Sequence, residues 1–91
     1  MWLKLPTGSW LNCDKIKEIY CDTAEVVGDI VSQRIYFIMD DDAMTNKSRF
    51  YIEIQPEKLT LEQATDYLVK AIALNRTNRV KLLVDGTVVL V

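Results

Sequence analysis

Thr60-Leu61-Glu62-Gln63-Ala64-Thr65-Asp66-Tyr67-Leu68-Val69-Lys70-Ala71-Ile72-Ala73-Leu74, followed after Asn75 to Arg79 by Val80-Lys81-Leu82-Leu83-Val84-Asp85-Gly86-Thr87-Val88-Val89-Leu90-Val91, is the stretch that decides the fold. Its first part has a helical period. Leu61, Ala64, Leu68, Ala71 and Ile72 fall on one apolar stripe. Thr60 and Gln63 have the spacing of a capping box, in which the threonine hydroxyl accepts from an orphan amide and the glutamine reaches back. Glu62 and Asp66 lie near the positive end of the helix and Lys70 lies toward the negative end. Asn75-Arg76-Thr77-Asn78 closes it, because Asn tolerates the left-handed conformation that ends helices. The spacing predicts one helix over about 61–74.

The second part reads as a β-hairpin, with Asp85-Gly86 as a two-residue turn. That register sets Val84 against Thr87, Leu82 against Val89 and Val80 against Val91. The other face then pairs Lys81 with Leu90 and Leu83 with Val88. Both faces are largely apolar, so the face carrying Leu83, Val88 and Leu90 needs cover from this chain or from another.

Working outward toward the N-terminus, Arg34 to Met39 and Arg49 to Ile54 are paired strands. Ile35, Phe37, Met39, Phe50, Ile52 and Ile54 point inward, while Tyr36, Tyr51 and Glu53 point outward. Trp2 to Leu5 and Ser9 to Asn12 form a hairpin around Pro6-Thr7-Gly8-Ser9. Residues 13–22 are read as a short helical turn at Asp14-Lys15-Ile16 and a strand from Lys17 to Cys21. The run Leu11-Asn12, with Ile16 and Ile19, resembles a pattern in small bacterial β-rich proteins. There a strand ends, one turn tucks an apolar residue under the sheet, and a new strand begins. Val26-Val27-Gly28-Asp29-Ile30-Val31 reads either as a tight hairpin with Gly first or as a loop. The expected architecture is therefore α+β: an antiparallel, twisted or barrel-like sheet of about five to seven strands, one helix and a C-terminal β-hairpin, forming a single domain over residues 1–91.

Composition narrows the function classes. The chain of 91 residues is 49% hydrophobic and 26% charged, as a globular domain is, with a net charge of −2. It contains no histidine, and so lacks the commonest general base and metal ligand. No catalytic or phosphate-cradling motif is present, which predicts no enzyme activity and no cofactor. Asp40-Asp41-Asp42 fails the calcium-loop pattern, having Thr45 where glycine belongs and Tyr51 at the twelfth position. A looser site on Asp40, Asp42 and Asn46 competes with a solvated loop, and the loop is the expectation; no metal site is predicted. Cys13 and Cys21 are too far apart along a strand or helix to bridge, which predicts free, buried thiols. Met1 to Pro6 does not read as a signal peptide, so a cytoplasmic protein is expected.

Charge is unevenly placed. Residues 1–66 carry net −5 and residues 67–91 carry net +3. Lys70, Arg76, Arg79 and Lys81 are therefore candidates for binding anions or nucleic acid. Trp2, Trp10, Tyr36 and Tyr51 fall on outward or second-face positions, where such rings either pack under a helix or loop or meet a partner. The leading expectation is a small non-catalytic interaction module that associates with itself or another protein. The alternative is an accessory nucleic-acid or anion binder using the basic C-terminal region.

Overall fold

The computed structural model describes residues 1–25, 28, 31–40, 48–74 and 79–91. In chain order they form β1 (Trp2–Lys4), β2 (Trp10–Asn12), a one-turn 3-10 helix (Cys13–Lys15), β3 (Ile16–Glu25), β4 (Val31–Met39), β5 (Ser48–Ile54), α1 (Leu61–Leu74), β6 (Arg79–Leu82) and β7 (Val88–Leu90). The α+β class, the single helix and the mainly antiparallel pairing agree with the sequence. The described strands, however, divide into two sheets rather than one: a four-stranded sheet in the order β2-β1-β6-β7 and a three-stranded sheet in the order β3-β4-β5.

Helix α1 forms where the capping box predicts it. The Thr60 amide donates to Gln63 Oε1 at 3.0 Å, and the Gln63 amide donates to Thr60 Oγ1 at 3.1 Å. Leu61, Ala64, Thr65 and Leu68 are buried. Thr65 extends the apolar stripe because its hydroxyl is satisfied by donating to the Leu61 carbonyl at 2.8 Å. The helix packs on β3 and β4 from one sheet and on β6 and β7 from the other, so it joins the two. Removing the cap in Thr60→Ala is expected to cost about 1 kcal/mol. A urea midpoint equal to that of the wild type would show that the box does not hold the helix.

The three-stranded sheet follows simple alternation. Ile19, Phe37 and Phe50 lie in one row of its inner face, and Cys21, Ile35 and Ile52 lie in the next. Together with Leu3, Leu5, Ile54, Leu68, Val80 and Leu82 they build the core. The 3-10 turn tucks Cys13 under the sheet instead of Ile16, which is only half-buried. Both cysteines are free. Cys13 is buried and Cys21 half-buried, and desolvation pushes the Cys13 thiol up. The strands β3 and β4 pair out to Glu25 and Val31. The tight turn predicted at Gly28-Asp29 and the acidic loop with its candidate metal ligands lie largely outside the described residues.

Two departures concern the four-stranded sheet. First, β1 pairs with β6 in parallel, with Trp2 beside Arg79, Leu3 beside Val80 and Lys4 beside Lys81. Parallel neighbours need a long crossover, and here it comprises everything from β2 to α1. Second, the terminal hairpin is shifted by one residue. Val80 faces Leu90, Lys81 faces Val89 and Leu82 faces Val88. The turn is a three-residue loop, Val84-Asp85-Gly86. Gly86 N donates to the Leu83 carbonyl at 3.0 Å, and Leu83 N donates to the Thr87 carbonyl at 2.8 Å. Gly86 has φ +88°, as the last residue of such a loop requires. The first hairpin uses the same device: Gly8 N donates to the Leu5 carbonyl, and Leu5 N to the Ser9 carbonyl.

The Asp85 carboxylate completes the terminal turn. It accepts from the Thr87 hydroxyl at 2.6 Å and from the Thr87 amide at 3.0 Å, and these bonds hold it below the usual carboxylate range. A one-residue shift exchanges the faces of β7 relative to β6. Val88 and Leu90 therefore join Val80 and Leu82 on the inner face, and Val89 joins Lys81 on the outer one.

Candidate functional site

Three surfaces arise from this arrangement. The outer face of the three-stranded sheet carries the predicted Tyr36 and Tyr51, aligned with Tyr20. Tyr20 and Tyr36 stack at 4.9 Å between ring centroids, and Tyr36 and Tyr51 meet at 5.5 Å with a tilt of 51°. The rings do not pack under the helix; they lie on the opposite face of the sheet. Arg34 lies 4.1 Å over the Tyr51 ring, donates to Ser32 Oγ at 3.1 Å and pairs with Glu53 at 3.9 Å. Arg49 donates to the Tyr20 hydroxyl at 3.2 Å. Rings and cations on this face thus satisfy one another.

The outer face of the four-stranded sheet is different. One row across it is Asn12, Trp2 and Arg79; the next is Trp10, Lys4, Lys81 and Val89. Trp2 is 46% exposed and Trp10 43% exposed. The Lys4 ammonium stands 5.7 Å from the Trp10 ring centroid, and the Arg79 guanidinium 5.9 Å from it. Trp2, Trp10 and Arg79 line a shallow depression of about 260 Å³. Asp14, the acid nearest to β2 in sequence, pairs with the terminal ammonium at 3.7 Å.

The third surface is the groove between α1 and β7, about 550 Å³ in volume and lined mainly by Leu59, Tyr67, Leu74, Val88 and Thr87, with Lys70 among them. Leu74 is 82% and Leu90 66% exposed. β7 is an edge of its sheet. Leu83 and Val91 are hydrogen-bonded to Thr87 and Arg79 across the hairpin, so by antiparallel alternation the amides and carbonyls of Val88 and Leu90 point away from β6.

The predicted residues are thus distributed over all three surfaces. Trp2, Trp10, Arg79 and Lys81 converge on one face. Val88 lines the groove and Leu90 lies two residues further along β7, whereas Leu83 sits half-buried at the turn, away from the group predicted for it. The four predicted cations do not form one cluster: Lys70 is at the groove and Arg76 lies outside the described residues. Lys4, which the sequence reading does not single out, also belongs to the tryptophan face. The alternation Trp2-Leu3-Lys4 places it beside the tryptophan on the polar side of β1, and that signal was legible; its proximity to Arg79 and Lys81 was not.

Cys21 lines a separate depression with Asp22, Thr23, Thr60, Leu61 and Glu62. None of these is a cation of the kind that sustains a reactive thiolate. Among the described residues, no group of histidine, cysteine or acidic side chains is arranged to hold a metal ion, and no helix is long and apolar enough to cross a membrane. The chain matches no family model, no curated protein and no solved structure.

Proposed function

We propose that the protein is a non-catalytic interaction module that self-associates through the β7 edge and the adjoining groove. The observation that carries this reading is the edge itself. Val88-Val89-Leu90-Val91 presents outward-pointing backbone groups and contains none of the charges or prolines that protect natural edge strands. Val89, Leu90 and Val91 are exposed, and an apolar groove lies beside them.

The proposed occupant is a second copy. A two-fold axis through β7 would pair the two edges antiparallel and bring Leu90 of each copy to the groove of the other, a self-complementary contact. Three residues of strand pairing bury too little for a stable dimer, which needs about 1,200–2,000 Å² in total. Helix residues Tyr67 and Leu74, both exposed, add apolar area to that contact. The free cysteines suit a reducing, cytoplasmic setting.

Sedimentation velocity at micromolar concentrations tests the proposal. The wild type is expected to run as a dimer, and Leu90→Glu as a monomer with an unchanged unfolding midpoint, because that side chain is exposed. A wild type that stays monomeric to about 100 µM, or a dimer indifferent to Leu90→Glu, would overturn it.

A further inference from the structure

We infer that the outer face of the four-stranded sheet binds single-stranded nucleic acid, with Trp2 and Trp10 as stacking platforms and Lys4, Arg79 and Lys81 as phosphate contacts. The face is distinct from the β7 groove and complete in one copy, so this inference does not rest on self-association.

The cations on the two outer faces differ in their partners. On the tyrosine face each arginine is occupied by hydroxyls, rings or Glu53. On the tryptophan face Lys4 and Arg79 stand over the Trp10 ring, but among the described residues no carboxylate pairs with them or with Lys81. Three cations on one face of a chain of net charge −2 form a local field opposite in sign to the whole. Both tryptophans are about half exposed, with Lys4 and Arg79 beside the Trp10 ring.

Geometry then selects the ligand. Trp2 and Trp10 are diagonal neighbours on adjacent antiparallel strands, since Trp2 pairs with Asn12 and Trp10 with Lys4. Such diagonal positions lie about 7–8 Å apart, roughly twice the 3.4 Å rise per nucleotide of a duplex strand. Two rings at that spacing suit successive bases splayed out of a stack, as on the stacking platforms of single-strand binders. A duplex hides its base faces and would leave both rings idle. A cation sits next to each ring in the register, Arg79 beside Trp2 and Lys4 beside Trp10, with Lys81 continuing the row toward β7. A chain of bases on the rings therefore carries its phosphates past the cations. Asn12, at the end of the first row, accepts the Asp14 amide on its Oδ1 at 3.1 Å, which leaves its side-chain NH2 to donate to a base edge.

The chain has two tryptophans, and both lie on this face. Its intrinsic tryptophan fluorescence therefore reports on the proposed site alone. Titration with a short oligothymidylate at about 50 mM salt is expected to quench that fluorescence, and anisotropy of a labelled oligonucleotide should give the same affinity. The logarithm of affinity should fall against the logarithm of salt with a slope of about −2, as three neutralised phosphates on a single strand require.

Trp10→Ala should weaken binding about tenfold or more. The combined Lys4→Gln, Arg79→Gln and Lys81→Gln variant should lose most of the salt dependence. Arg34→Gln and Arg49→Gln on the opposite sheet should leave binding unchanged, and so should Leu90→Glu. Lys4, Arg34 and Lys81 are part-buried and the other positions exposed, so the unfolding midpoint of each variant is to be measured as the check that it is folded. No quenching at low salt, equal affinity for an abasic oligomer, or a duplex bound as tightly as the single strand would each overturn the assignment.

Discussion

Gly86→Val is expected to lower the stability of the fold by about 2–6 kcal/mol. Two effects add. The residue sits at φ +88°, where a β-branched side chain costs about 1–3 kcal/mol of backbone strain. A Cβ at this position would also lie 2.8 Å from the Ala64 Cβ and 3.6 Å from Ile54 Cδ1. That clash pits the terminal turn against the buried face of α1, and overpacking of this kind costs about 1–3 kcal/mol more.

Gly8 provides the internal comparison. It occupies the same place in the first hairpin, at φ +93°, but a Cβ there meets nothing within 4 Å. Gly8→Val should therefore show the strain alone. The urea midpoint of Gly86→Val should fall well below that of Gly8→Val. Equal midpoints would show that the approach of the turn to Ala64 contributes nothing.

Phe37→Ala is expected to cost about 3–5 kcal/mol, a large part of the roughly 5–15 kcal/mol that holds a typical domain folded. Phe37 has no exposed surface and lies on the middle strand of its sheet. It stacks on Phe50 at 5.2 Å between centroids and pairs with Ile19 on the other side. Truncation removes that aromatic pair and leaves a cavity between the sheet and the rest of the core. The melting temperature should drop by more than about 10 °C. Its sequence neighbour Tyr36 faces the other way, so Tyr36→Phe should shift the melting temperature by only a few degrees. Comparable losses in the two variants would contradict the inward and outward assignment of β4.

That assignment was readable in advance because it depends only on alternation. Ile35, Phe37, Ile52 and Ile54 are apolar every second residue, and the structure buries all four. The helix was readable for a similar reason: Thr60 and Gln63 satisfy each other's backbone amides within a single turn, whatever lies around them. The terminal hairpin shows where local reading stops. Asp85-Gly86 suits a two-residue turn, and isolated chemistry does not distinguish it from the three-residue loop that forms. Gly86 instead packs against Ala64, and the Val84 carbonyl accepts from Gln55 N at 2.7 Å. Contacts from β5 and α1 thus accompany the observed register, and with it the face to which Val88 and Leu90 belong.

The candidate nucleic-acid face divides in the same way. Each half is written in a short amphipathic strand: Trp2 and Lys4 flank the buried Leu3, and Arg79 and Lys81 flank the buried Val80. These halves lie at opposite ends of the chain, and no local pattern joins them. The parallel pairing of β1 with β6 brings them side by side. That pairing rests on backbone hydrogen bonds and on the burial of Leu3 against Val80, interactions between residues more than seventy positions apart. Element type and side-chain direction are short-range properties of this sequence, set by periodicity and capping. Sheet partition, hairpin register and the meeting of the tryptophans with the distant cations are long-range properties, because they exist only once the core has closed.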